Sequence, residues 1–211
     1  MGSIGIIGDI HGKVDLYHKL IKESEASKTI QIGDFALGFS RELDEEIYAY
    51  LDDLNKDESS HKFFRGNHDD PKVCNNCSHY MGDWGYQEDT GIFWIAGAWS
   101  IDHARRTKDI DWWEDEELKE EQWEEVREAY ARIKPRFVLS HDAPLDMYAP
   151  MFSYYGKRII PTLTSRELNG LFYIHQPEKW IFGHHHLSVT QDNRGCEFRC
   201  LNELEIYELR I

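Results

Sequence analysis

Arg65-Gly66-Asn67-His68-Asp69 is the stretch on which the fold assignment turns. It follows the apolar pair Phe63-Phe64 and precedes Asp70-Pro71, where proline biases the residue before it away from helix. An amide able to ligate a metal, an imidazole and a carboxylate therefore stand together at the expected end of a strand. Alone the triplet means little, because Asn and Asp are common in turns and helix caps. Its weight comes from company: two similar clusters precede it and two histidine clusters follow it.

Upstream, Ser3-Ile4-Gly5-Ile6-Ile7 reads as a buried strand that ends in Gly8-Asp9-Ile10-His11-Gly12. Leu16, Leu20 and Ile21 recur at helical spacing and predict a helix. Thr29-Ile30-Gln31-Ile32 is a second strand, closed by Gly33-Asp34, and a second helix begins near Arg41 with Leu43, Ile47, Tyr50, Leu51 and Leu54 inward. Lys62-Phe63-Phe64 is the third strand. Strand, helix, strand, helix, strand predicts a parallel sheet. In such sheets ligands gather beyond the carboxyl ends of the strands.

Downstream, Gly91 to Gly97 reads as a buried strand and Trp99 to Trp113 as irregular chain. An acidic, solvated helix is expected from Glu114 to about Lys134, stopped by Pro135. Arg136 to Leu139 is a strand ending in Ser140-His141-Asp142. Ala143 to Leu168 reads as loop and short helix. Trp180-Ile181-Phe182 is a strand ending in Gly183-His184-His185-His186, and Val189 to Leu209 alternates around a hairpin turn at Asp192-Asn193-Arg194-Gly195. No repeat or low-complexity linker interrupts the chain, so one domain over residues 1–211 is expected, with an irregular and acidic helical insertion around 99–134.

The 211 residues suffice for a sizeable core. A net charge of −15 argues against a general binder of extended nucleic acid, which needs a basic face. It leaves small anionic substrates open, because bound cations reverse the local sign. The longest apolar run, near Gly91 to Trp99, is too short for a membrane span. No cleavable signal pattern is evident, and a soluble, cytoplasmic protein is expected. The four cysteines, Cys74, Cys77, Cys196 and Cys200, read as free thiols ahead of a structural zinc site.

Collected from the strand ends, Asp9, His11, Asp34, Asn67, His141, His184 and His186 form a mixed oxygen and nitrogen donor set. Such a set suits Mn, Fe, Zn, Co or Ni better than Ca. It exceeds what one catalytic ion with an open position uses. It fits two ions sharing a bridging carboxylate, the arrangement that clamps an in-line displacement at phosphorus. His185 is expected to point away from its two neighbours.

In this order the blocks Asp9-Ile10-His11, Gly33-Asp34, Gly66-Asn67-His68-Asp69, His141 and Gly183-His184-His185-His186 resemble the calcineurin-like metallophosphoesterases. The segment from Asp102 to Arg106 with Trp112-Trp113-Glu114 is similar to one in small bacterial and phage members. The resemblance implies an α/β fold, a two-sheet β-sandwich flanked by helices in four layers, α/β/β/α. It implies a first metal on Asp9, His11 and His186, a second on Asn67, His141 and His184, and Asp34 between them. It further implies a hydroxide held between the ions as nucleophile and His68 as catalytic general acid. Two divalent ions are expected, manganese first, with Fe, Zn, Ni or Co as alternatives. Arg65, Arg105 and Arg106 are the candidate substrate-binding residues, since a guanidinium fork can hold two phosphate oxygens.

One departure is visible. Phosphoprotein phosphatases of this superfamily continue Gly-Asp-x-x-Asp-Arg-Gly, whereas Leu37 and Gly38 stand here at the second Asp and the Arg. A role on phosphoserine or phosphothreonine proteins is therefore not expected. The expected activity is that of a phosphomonoesterase. A phosphodiesterase acting on cyclic nucleotides or other small diesters is the alternative, and a non-catalytic scaffold is disfavoured by the intact donor set.

Overall fold

The computed structural model describes residues 2–24, 26–56, 58–156 and 160–211. Residues 157–159, within the stretch read as loop and short helix, lie outside the described residues. The first sheet has the order β10-β1-β2-β3, with β1 Ser3–Ile7, β2 Lys28–Gln31, β3 Ser60–Phe63 and β10 Ile206–Arg210. Strands β1, β2 and β3 run parallel, as the strand-helix alternation predicts, and β10 joins β1 antiparallel. The second sheet has the order β4-β5-β6-β7-β9-β8, built from β4 Trp84–Gln87, β5 Ile92–Ile95, β6 Phe137–Ser140, β7 Lys179–Phe182, β8 Val189–Asn193 and β9 Cys196–Cys200. Its central strands are parallel, and β4 and β8 close the two edges antiparallel.

The strand period of two sorts side chains into three apolar layers. Ile4, Ile6, Ile30 and Ile32 meet Ile92, Phe137, Leu139 and Ile181 between the sheets. Ile7 and Phe63 face α1 Val14–Ser24 and α2 Arg41–Leu54 on one outside, where Tyr17, Ile21, Ile47 and Leu51 are buried. Phe93, Val138, Trp180 and Phe182 face the other outside, covered by α4 Glu120–Ile133, α5 Tyr148–Phe152 and α6 Leu163–Ile174. The short α3, Pro71–Cys74, carries Pro at its first turn behind the Asp70 cap. The sandwich of two mixed sheets flanked by helices is the expected one.

Several local expectations change. Helix α1 turns Val14 and Tyr17 inward and leaves Leu16 exposed, because Tyr17 packs on Phe35. The acidic helix begins at Glu120, six residues later than expected, and is amphipathic: Trp123, Val126, Ala129 and Tyr130 are buried. The stretch to Leu168 contains the start of α6, which opens on a Thr162–Ser165 capping box. The hairpin forms, but its turn is Arg194-Gly195 alone, both at positive φ, while Asp192 and Asn193 still belong to β8.

Candidate metal centre

The loops after β1, β2, β3, β6 and β7 converge, each bringing a predicted donor. The first two are tied by the Ile10 and His11 amides, which donate to the Asp34 carbonyl at 3.0 and 2.8 Å. The buried Asp69 carboxylate joins the second loop to the third. It accepts from the amides of Asp34, Gly66, Ala36 and Leu37 at 2.8–3.1 Å. This side chain, the carboxylate of the stretch around Asn67, is thus a staple between loops. The structural signal is four converging donors; the sequence shows only an acidic residue after a histidine.

Two glycines explain how closely the donors gather. A Cβ at Gly66 would lie 2.1 Å from Asp34 Oδ1, and one at Gly183 would lie 2.3 Å from Asp9 Oδ1. His11, Asp34, His184 and His186 all adopt left-handed backbone, φ 48, 61, 62 and 50°. L-residues take that conformation at a cost of roughly 1–2 kcal/mol each. Such strain concentrates where surrounding structure enforces a functional geometry. It also removes the extended chain assumed for His184-His185-His186, so His185 lines the same cavity as its neighbours. Its Nε2 lies 3.1 Å from buried Asp142, whose carboxylate also accepts from Tyr148.

Two groups of donors form. Asp9, His11, Asp34 and His186 offer ligand atoms within 4.8 Å of one another, and so do Asp34, His141 and His184. Asp34 belongs to both. Its Oδ1 stands 3.2 Å from His141 Nε2, while its Oδ2 stands 3.7 Å from His11 Nε2. Asn67 joins the second group, with Oδ1 at 3.2 Å from His141 Nε2. No cysteine belongs to either group among the described residues, and all four thiols are free.

The donor chemistry fits cations. Among the described residues Asp9 Oδ2 is buried without a hydrogen bond, although His186 Nε2 is 2.9 Å away. His11 Nε2 and His186 Nε2 approach to 2.9 Å. Lone pairs converging without enough protons between them are what an ion relieves. The outward nitrogens are already engaged: His141 Nδ1 meets the Ile32 carbonyl at 2.8 Å, and His186 Nδ1 lies 3.3 Å from Glu203. Such partners fix the tautomer and aim Nε2 at the ion. Glu203, itself paired with Lys13, was not foreseeable, since it lies beyond the last motif.

The electrostatics agree. Burial opposes the charge on Asp9, but His11 and His186 hold its carboxyl well below the usual range. Burial also opposes the charge on Asp34, and His141 and His68 hold it low. Burial alone would lower His141, yet Asp34 carries it up to about 10, so a cation bound here would have to displace the Nε2 proton. Burial pushes His184 down to about 3, leaving a neutral imidazole suited to ligation. His68 is lowered by burial, and Arg106 and His11 reinforce the shift against Asp34.

The predicted arginines separate. Arg106 lies at the centre: Nε bonds Asp102 at 2.7 Å, Nη1 bonds the Asp111 carbonyl at 3.0 Å, and Nη2 reaches within 3.3 Å of His68 Nε2. Arg65 is buried and turned away; Nε bonds Asp83 and Nη1 the Glu116 carbonyl, both at 2.6 Å. Its donors hold the fold, which corrects its assignment as a phosphate clamp. Arg105 is exposed and lines no part of the cavity, because its short 3-10 turn, His103–Arg105, points it outward. The cavity over the donors, about 300 Å³, is walled by Trp99, Ile101, Tyr148, Ile160 and Thr162.

The class these features define is that of metal-dependent phosphoric ester hydrolases. The chain belongs to the calcineurin-like phosphoesterase family, whose model matches residues 2–188. Among solved structures, TT1561 of Thermus thermophilus is similar with a TM-score of 0.60 at 13% identity, covering 96% of this chain and 89% of that one. GAP50, the anchor in the inner membrane complex of Plasmodium, gives 0.57 at 14% identity over 95% and 71% of the two chains. The phosphopantetheinyl hydrolase PptH of Mycobacterium tuberculosis gives 0.55 at 15% identity over 95% and 89%. At these identities the likeness is one of fold. No curated protein matches the chain. No helix among the described residues is long and apolar enough to cross a membrane.

Proposed function

We propose that this chain is a dinuclear metal-dependent phosphomonoesterase, which hydrolyses a phosphate ester to an alcohol and inorganic phosphate. The observation that carries the reading is the pair of donor groups sharing Asp34 beneath a cavity that also holds His68 and Arg106. Asp9, His11 and His186 would hold one ion, Asn67, His141 and His184 the other, and Asp34 would serve both. Bound there, the ions would polarise phosphoryl oxygens and lower the pKa of an attacking water.

The chain's own groups do the rest. Arg106 is held by Asp102 and Asp111 so that Nη2 faces the cavity, ready to bind a phosphate oxygen. Without substrate this nitrogen donates to a neutral His68. An anionic phosphate takes over the guanidinium, and its charge lets the freed His68 Nε2 take up a proton from solvent and pass it to the leaving oxygen. Burial of the imidazole keeps that proton easily surrendered. A monoester presents a dianionic phosphoryl group, which gains more from the Arg106 guanidinium and from bound cations than the single charge of a diester does.

Manganese is the ion of first choice for the mixed donor set. The test compares para-nitrophenyl phosphate with bis-para-nitrophenyl phosphate, using protein stripped of metal and reloaded with manganese. Metal-dependent turnover with at least about tenfold higher kcat/KM on the monoester is expected, a margin near 1.4 kcal/mol of transition-state discrimination. Preference for the diester would overturn the monoesterase reading and favour small cyclic or linear diesters.

A further inference from the structure

Asn67 can present either its oxygen or its nitrogen to the centre, because the two ends of an amide differ little in shape. Only the oxygen ligates a cation. The selection between the two is made outside the centre. Asn67 Nδ2 lies 3.0 Å from Ser100 Oγ. Ser100 Oγ in turn lies 2.5 Å from Glu116 Oε2, and the Ser100 amide donates to Glu116 Oε1 at 2.8 Å. All three side chains are buried, each 2% exposed.

The donors and acceptors in this chain have one direction. Burial raises the Glu116 carboxyl, but the Ser100 hydroxyl and amide both donate to it and favour its charged form; the carboxylate then only accepts, and the hydroxyl spends its proton on Glu116. Oγ then faces Asn67 with lone pairs alone and demands the NH2 end of the amide. The Asn67 oxygen is left toward His141 Nε2 and the second metal position. Glu116 is itself held. Arg65, paired with Asp83, donates to its carbonyl, and a Cβ at Gly97 would approach that carbonyl to 2.4 Å.

The geometry points to Ser100 and Glu116 as positioning residues that set the amide of Asn67 for the second metal, an inference that rests on Asn67 being a ligand. They lie in the segment of residues 99–118, which the donor blocks do not include. The same segment carries Arg106, so one stretch of chain orients a ligand and supplies a substrate contact.

The polarity of the chain makes an unusual prediction. In E116Q the Ser100 amide still requires an oxygen, so the Gln NH2 must face Ser100 Oγ. The hydroxyl then turns its proton toward Asn67 and favours the wrong end of the amide. S100A only removes the directional partner. Manganese titration of metal-stripped protein by calorimetry should therefore rank second-site affinity as wild type, then S100A, then E116Q, with the first site unchanged. The loss in E116Q should be about 10–100-fold, typical of partners behind a metal ligand. The double variant S100A/E116Q should bind as S100A does, and so more tightly than E116Q alone.

Additive losses, or an E116Q second site equal to wild type, would overturn the proposal. N67A separates the two levels. If N67A leaves both sites intact, Asn67 is not a ligand. If N67A weakens the second site and E116Q does not, the orienting role fails while the ligand assignment stands. Should E116Q not fold, S100A decides by itself: an unchanged second site would overturn the proposal, and a weakened one supports it.

Discussion

Leu37 is buried in the core at the position where phosphoprotein phosphatases carry a carboxylate, and the neighbour of the His68 imidazole is Arg106. A cation in that place lowers the affinity of His68 for its proton, where a carboxylate would raise it. H68A should reduce kcat by about 10²–10⁴-fold, the usual weight of a general acid, while metal content stays at the wild-type value. Turnover that survives the substitution would remove His68 from the proton-transfer role. At this scale the donor residues were legible because each is a short polar cluster closing an apolar run. The arginines were not. Arg65 is drawn away by Asp83 and the Glu116 carbonyl, and Arg106 is brought to His68, and sequence spacing does not reveal a partner brought in by folding.

At the scale of elements, the strand-end turns are the working parts. Gly66 is the tightest, since an added Cβ would meet Asp34 Oδ1 at 2.1 Å and His141 Nε2 at 2.6 Å. G66A should lower stability by roughly 1–3 kcal/mol, the cost of overpacking, and weaken metal binding with it. Gly170, inside α6, has no atom within 4 Å of an added Cβ. G170A should therefore leave metal binding alone and hold or raise the melting temperature, since alanine favours helix over glycine by about 1 kcal/mol. Equal behaviour of the two variants in thermal melts and manganese titration would contradict this assignment of the turns. Helix α6 escaped the sequence because Gly170 and the aromatic Phe172-Tyr173 pair weaken its pattern, and its start is fixed by side-chain capping. Strand β4 escaped because Trp84 to Gln87 is only half buried and gains its pairing from β5.

Across the whole molecule, the α/β character was legible from alternation, and the four-layer sandwich from the resemblance. The exact strand order was not. Strand β9 inserts between β7 and β8, and β10 crosses back to pair with β1 in the other sheet. Those pairings depend on which edges remain open after the earlier strands have assembled, a property no local stretch carries. The assembled sandwich gathers buried carboxylates and imidazoles in a chain of net charge −15, where bound divalent ions would supply the positive potential an anionic ester needs. On the proposed reading, both ions would share the Asp34 carboxylate. Its most direct test is counting manganese bound per chain, by calorimetric titration of metal-stripped wild type and D34N. Two ions in the wild type, and weakened binding at both sites together in D34N, are predicted. Wild-type binding of a single ion, or D34N losing one site while the other keeps its full affinity, would contradict a shared Asp34.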